Sequence, residues 1–129
     1  DLRYRPDARR FDMGERDHLI TLEMAAVGME YVANLGPAAI RERLLMLTSR
    51  MADGLRDAPG IKLPNDRTRA PHILSLGFPD GMPDGLIERL AAAKVYVAPR
   101  LGRMRVSPHV YNTEADVDRF VSELRRLTS

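Results

Sequence analysis

Residues 102–120 read GRMRVSPHVYNTEADVDRF. The opening RMRV alternates charged and apolar residues, the period-two pattern of a half-buried strand. On such a strand Arg103 and Arg105 point to one face, while Met104 and Val106 point to the other. Ser-Pro-His then breaks the pattern. Thr113 follows, with Asp116 three residues on, which approximates the reciprocal cap of a helix start. Val117, Phe120, Val121, Leu124 and Leu127 recur at helical spacing and supply its buried stripe. One stretch therefore predicts a strand, a turn and a helix, with the apolar sides of both elements available to one core.

Working back from this stretch, VYVA is a β-rich run separated from RMRV by the short loop PRLG, and residues 86–93 predict a short helix. HILSLGF predicts a strand followed by the loop PDGMPDG, and IKL a further short strand before the turn-rich PNDRTRAP. Pro37 opens a helix, at a first-turn position that suits proline. Its apolar residues Ile40, Leu44, Leu47, Met51 and Leu55 form a single stripe. Before it, Asp17 caps a helix bearing Leu19, Leu22, Ala26, Met29 and Val32, which NLGP closes with Gly36 in a left-handed conformation. The order α-α-β-β-α-β-β-α places helices on one face of three or four short strands, an α+β two-layer sandwich. The first 16 residues are polar and aperiodic, and read as a linker.

The chain has 129 residues, of which 44% are hydrophobic, enough for one core. It contains no cysteine, which excludes disulfides, thiolate metal sites and cysteine nucleophiles, and fits a reducing, cytoplasmic setting. No apolar run is long enough to cross a membrane. The pI near 9.3 accompanies a net charge of only +2, with basic residues interspersed among acids. Aromatic residues are few, so neither the charge footprint nor the stacking platform of a nucleic-acid binder is present. The start at Asp1, with no signal-peptide pattern, is the expected beginning of a piece of something longer.

Catalytic motifs are absent. His18, His72 and His109 have no partner at ligand spacing, so no metal site is expected. No serine lies in a G-x-S-x-G setting, and there is neither a P-loop nor a G-x-G-x-x-G. The arginine pair is what remains. From the pattern alone, the plainer account is a solvated edge strand whose charges discourage aggregation. The functional account is a carboxylate clamp, since a planar guanidinium meets a carboxylate through two parallel hydrogen bonds.

The run RMRVSPHVYNTEADVDRFVSEL resembles the C-terminal signature of class V aminotransferases, a branch of the fold-type I pyridoxal-phosphate enzymes that includes isopenicillin N epimerase-like and cysteine desulfurase-like proteins. There an Arg-x-Ser strand precedes a Tyr-Asn-Thr turn and an acidic helix start. ARRFDMGERDHLITLEMA is similar to the family's segment leaving the large domain, and KVYVAPRLG to its strand before the signature. The resemblance runs from Ala8 to Leu127. It implies residues 17–129 to be the C-terminal small domain, preceded by a missing N-terminal large domain, in an enzyme that is a homodimer when intact.

The resemblance also implies roles. Arg105 takes the position that binds the α-carboxylate of the amino-acid substrate, Arg100 borders the active-site mouth, and Arg103 is a supporting or solvent-facing charge. His109 and Tyr111 hold the turn, and Gly14 sits where relatives approach the cofactor phosphate. Pyridoxal phosphate would act as electron sink in the intact enzyme. Transamination of an amino acid is the first reaction implied; epimerisation or a cysteine-free lyase reaction is the second.

Three departures shape that expectation. Cysteine desulfurases carry a reactive cysteine around the loop matching Pro99 to Arg103, and this chain has none. Relatives with Gly-Thr in the linker contrast with Gly14-Glu15, whose carboxylate is ill suited to a phosphate. The family's Schiff-base lysine follows a histidine, whereas Lys62 follows Ile61 and Lys94 follows Ala93, so both are surface lysines. No catalytic residue is therefore expected in this chain. The alternative from another class is a stand-alone α+β ligand-binding or regulatory module without catalysis.

Overall fold

The computed structural model describes residues 7–11 and 19–128. Residues up to Gly36 form one compact unit and residues from Pro37 onward a second.

The first unit contains a single 3-10 turn, Asp7–Phe11, and helix α1, Leu19–Leu35. Gly36 ends α1 at φ 81°, its N–H donating to the carbonyls of Val32 and Ala33 at 3.1 and 3.2 Å. This is the left-handed termination expected from NLGP. The predicted cap Asp17 lies outside the described residues. Ile20, Leu22, Met24, Val27, Met29, Tyr31, Val32 and Leu35 are all exposed.

The second unit runs α2 (Pro37–Leu55), β1 (Leu74–Leu76), α3 (Leu86–Ala92), β2 (Ala98–Arg100), β3 (Arg103–Val106) and α4 (Glu114–Thr128). The strands form one antiparallel sheet in the order β1-β3-β2. Helices cover one face of it, giving the expected α+β two-layer sandwich. Leu74, Leu76, Met104 and Val106 enter the core from the sheet. Leu47, Met51 and Leu55 enter from α2, Leu86 and Leu90 from α3, and Val117, Phe120 and Leu124 from α4. In this unit the stripes read from periodicity are the stripes that are buried, although Ile40, Val121 and Leu127 are only partly covered; the stripe expected on α1, with Leu22, Ala26, Met29 and Val32, is exposed.

Two strands differ from expectation. IKL does not form one: Lys62 makes an isolated bridge to Gly77, with two 2.8 Å backbone hydrogen bonds. This one residue pair does not extend into a ladder. VYVA contributes only Ala98 to β2, because Lys94 turns at φ 59° and Val95 packs into the core. The strand instead continues through Pro99 and Arg100, and the expected loop PRLG shrinks to Leu101-Gly102.

Polar contacts fix the helices. Thr48, fully buried, donates to the carbonyls of Leu44 at 3.0 Å and Pro71 at 3.1 Å, so its hydroxyl is satisfied inside the core. Arg50 meets Asp118 through two 2.7 Å hydrogen bonds, joining α2 to α4. No described helix is long and apolar enough to cross a membrane.

Candidate substrate-binding face

The sheet face opposite the helices is built by alternation. Leu74 and Leu76 bury their side chains, which turns Ser75 to the other side; Met104 and Val106 do the same for Arg103 and Arg105. The register pairs Ser75 with Arg105, Arg105 with Ala98, and Arg103 with Arg100. Directly paired residues of antiparallel strands share a face. Ser75, Ala98, Arg100, Arg103 and Arg105 therefore lie together.

Arg103 is fixed. Its Nε donates to Ser75 Oγ at 2.8 Å and its Nη2 to the Ser75 carbonyl at 3.0 Å. Gly77 leaves room for it, since a Cβ there would stand 3.2 Å from Arg103 Nη1. Arg103, expected as a supporting or solvent-facing charge, is thus half-buried and tied to the neighbouring strand, and its partner Ser75 carries no signal in the sequence beyond its place in an alternating strand. Arg105 is exposed, and no described carboxylate forms an ion pair with it. Arg100 is likewise exposed and free of a carboxylate, but it is the last residue of β2 and not a loop residue.

The turn after β3 prepares the helix. The His109 N–H donates to Asn112 Oδ1 at 2.8 Å, and the Asn112 N–H returns to the His109 carbonyl at 3.0 Å. The rings of His109 and Tyr111 stack at 4.9 Å and 31°, so packing joins backbone bonding in holding this turn. Arg43 of α2 adds a clamp missed in the sequence: it donates to the Asn112 carbonyl and to Glu114 Oε1, each at 2.6 Å. The signal was available as a pattern. Arg43 and Arg50 stand seven residues apart on α2, and Glu114 and Asp118 four apart on α4, spacings that put each pair on one helical face.

These contacts polarise the start of α4. The hydrogen bond from Arg50 holds the Asp118 carboxyl below its usual range. The Thr113 backbone N–H does so for Asp116, and the Arg43 hydrogen bond for Glu114.

Gly14 lies outside the described residues. Lys62 and Lys94 are both exposed. Lys94 does stand at a cleft of about 320 Å³ that also takes in Tyr96, Tyr111, Asp116 and Arg119. Two of those groups are already engaged: Arg119 donates to the Ala93 carbonyl at 2.8 Å and Asp116 belongs to the helix cap. Among the described residues no group of three or more His, Cys, Asp or Glu could hold a metal ion.

No protein-family model matches the chain, nor does any curated protein sequence. Solved structures do. A NifS-like protein superposes at TM-score 0.69 and 26% identity over 80% of this chain and 32% of its own. A cysteine desulfurase from Thermococcus onnurineus NA1 gives 0.77 and 22%, over 94% of this chain and 34% of its own. An alanine–glyoxylate aminotransferase from Nostoc sp. gives 0.61 and 20%, over 78% and 29%. The resemblance read from the sequence holds in three dimensions. The chain spans about a third of the length of the solved chains it matches.

Proposed function

We propose that the chain is the C-terminal small domain, residues 17–129 behind a linker of residues 1–16, of a pyridoxal-phosphate-dependent class V aminotransferase-like enzyme. In this reading Arg105 binds the α-carboxylate of an amino-acid substrate. The observation that carries it is Arg105 itself: an exposed arginine in Arg-x-Ser register, turned away from the core and without a carboxylate partner among the described residues. A guanidinium on a rigid central strand, with no ion-pair partner among the described residues, can receive a carboxylate through two parallel bonds. Ser107, next on the same side and exposed, completes the motif.

The described residues do not fit a cofactor-holding site, because both lysines are exposed. The cofactor's lysine would belong to an N-terminal large domain, and the chain's share of the work is to bind and orient substrate. Helix α1 supports that partner. Eight large apolar side chains are exposed along it, and a helix apolar on all sides is ordinarily a buried one. A stand-alone module would leave this surface in water. Transamination in a homodimer, in a cytoplasmic setting, is the preferred form of the reading; the absence of cysteine disfavours sulfur abstraction by a thiol on the β2–β3 loop.

Arg105→Lys tests the proposal. It keeps the charge and loses the fork, so kcat/KM of the full-length enzyme should fall tenfold or more, in line with about 1.5–3 kcal/mol for a charge-assisted bond. Unfolding free energy should move by no more than about 0.5 kcal/mol, as for other surface changes. Unaltered kinetics together with a large loss of stability would make Arg105 a structural strand residue.

A further inference from the structure

Resting on the reading of Arg105 as a carboxylate clamp, we infer that Arg100 and Arg103 form a second anion site on the same face, and that the substrate is a dicarboxylic amino acid. The β2–β3 connection is the first observation. Leu101 and Gly102 both have positive φ, 51° and 72°, the backbone of a two-residue type I′ hairpin. That turn locks Arg100 directly opposite Arg103. Like charges directly opposite across a ladder destabilise it. Leucine at positive φ adds strain, and Leu101 is 91% exposed, so no packing at the tip compensates.

The second observation is that no described residue supplies a counter-ion. No ion pair among the described residues involves Arg100, Arg103 or Arg105. The remaining residues of the strands on this face are Ser75 and Ala98, so none is acidic. Elsewhere this unit pairs its arginines readily, as Arg43, Arg50, Arg56 and Arg126 show. Three cations on one side of a sheet, with no ion-pair partner among the described residues, call for anions from outside.

The third observation is preorganisation and spacing. Arg103 donates from Nε and Nη2 to Ser75, leaving Nη1 for a ligand, while Arg100 lies exposed beside it. Arg103 and Arg105 are two strand residues apart, about 6.8 Å along the chain. The two carboxyl carbons of extended glutamate are separated by about 5 Å, from four bonds of about 1.5 Å each. One carboxylate can therefore sit on Arg105 while the other reaches the Arg100–Arg103 pair.

The experiment compares glutamate with glutamine, which have the same length and differ in the distal charge, using the full-length holoenzyme. Wild type should favour glutamate in kcat/KM, and the preference should shrink as salt rises. Arg100→Gln, at an exposed strand end, should raise KM for glutamate tenfold or more, and by a clearly larger factor than it raises KM for glutamine. Calorimetry with glutarate and butyrate gives a second readout: glutarate should bind more tightly, and Arg100→Gln should abolish the difference. No preference in wild type, equal binding of the two acids, or an equal shift for both amino acids in Arg100→Gln overturns the second site. If Arg105→Lys still impairs both amino acids in that case, the clamp stands and only this inference falls. If Arg105→Lys impairs neither, the clamp reading falls and takes the inference with it.

Discussion

Thr113 and Asp116 cap α4 reciprocally: the Thr113 N–H donates to Asp116 Oδ2 at 2.8 Å, and the Asp116 N–H donates to Thr113 Oγ1 at 3.2 Å. Each side chain satisfies a backbone donor that the helix geometry leaves unpaired. Thr113→Ala removes one of the two bonds and should cost about 0.5–2 kcal/mol. Phe120, by contrast, is 4% exposed in the core, and Phe120→Ala should cost about 3–5 kcal/mol. Denaturant midpoints of the two variants check this; the reverse order would mean that α4 is held by its cap and not by its stripe.

Gly54 lies where α2 meets α4. A Cβ there would stand 2.9 and 3.1 Å from the two γ-carbons of Val121. Alanine at this position would gain about 1 kcal/mol of helix propensity. Both branches of Val121 face the intruding carbon, so rotating that side chain does not clear it and the helices must part. Gly54→Ala should therefore destabilise on balance, by up to about 2 kcal/mol once overpacking of about 1–3 kcal/mol is set against the propensity gain. Thermal melts of Gly54→Ala alone and with Val121→Ala measure it, and the second change should restore stability.

Acid should loosen α4. Asp118, Asp116 and Glu114 all have carboxyls held below their ordinary values by hydrogen bonds from Arg50, Thr113 and Arg43. The unfolded chain then takes up protons at a higher pH than the folded one. The stabilisation is complete above the ordinary carboxylate range near pH 4 and is lost as pH falls through it and through the lower folded values. Urea midpoints at pH 7, 4 and 2.5 should fall in that order, and Asp118→Asn should flatten part of the decline. A midpoint independent of pH would show that these contacts contribute nothing.

The chain by itself should fold its second unit and remain catalytically silent. Incubation with pyridoxal phosphate and borohydride, followed by peptide mapping, should give no adduct concentrated on Lys62 or Lys94, since both amines are exposed. A single stoichiometric adduct accompanied by turnover would place the reactive lysine here after all.

Periodicity made α2, α4 and β3 legible, because each buries a single side that the sequence marks with an unbroken stripe: Leu44, Leu47, Met51 and Leu55; Val117, Phe120 and Leu124; Met104 and Val106. The same alternation placed Arg103 and Arg105 together. What escaped were features set by partners distant in sequence. Lys62 meets Gly77 in one bridge and stops, which no local propensity reveals. Arg103 depends on Ser75, 28 positions away, and Arg43 on Asn112, 69 positions away. Arg100 joined its strand only because Leu101 accepts a positive φ, an adjustment that leucine's own preferences oppose.

The Leu101-Gly102 turn also limits reach. Only Leu101 and Gly102 connect β2 to β3. With at most about 3.6 Å of extension per residue, such a connector cannot swing a side chain out over a bound molecule. Leu101→Cys would plant a thiol at the sheet's end and leave it stationary there. A group meant to travel from this corner of the sheet would need an inserted arm first, so what the corner can do is limited by loop length before it is limited by side chains.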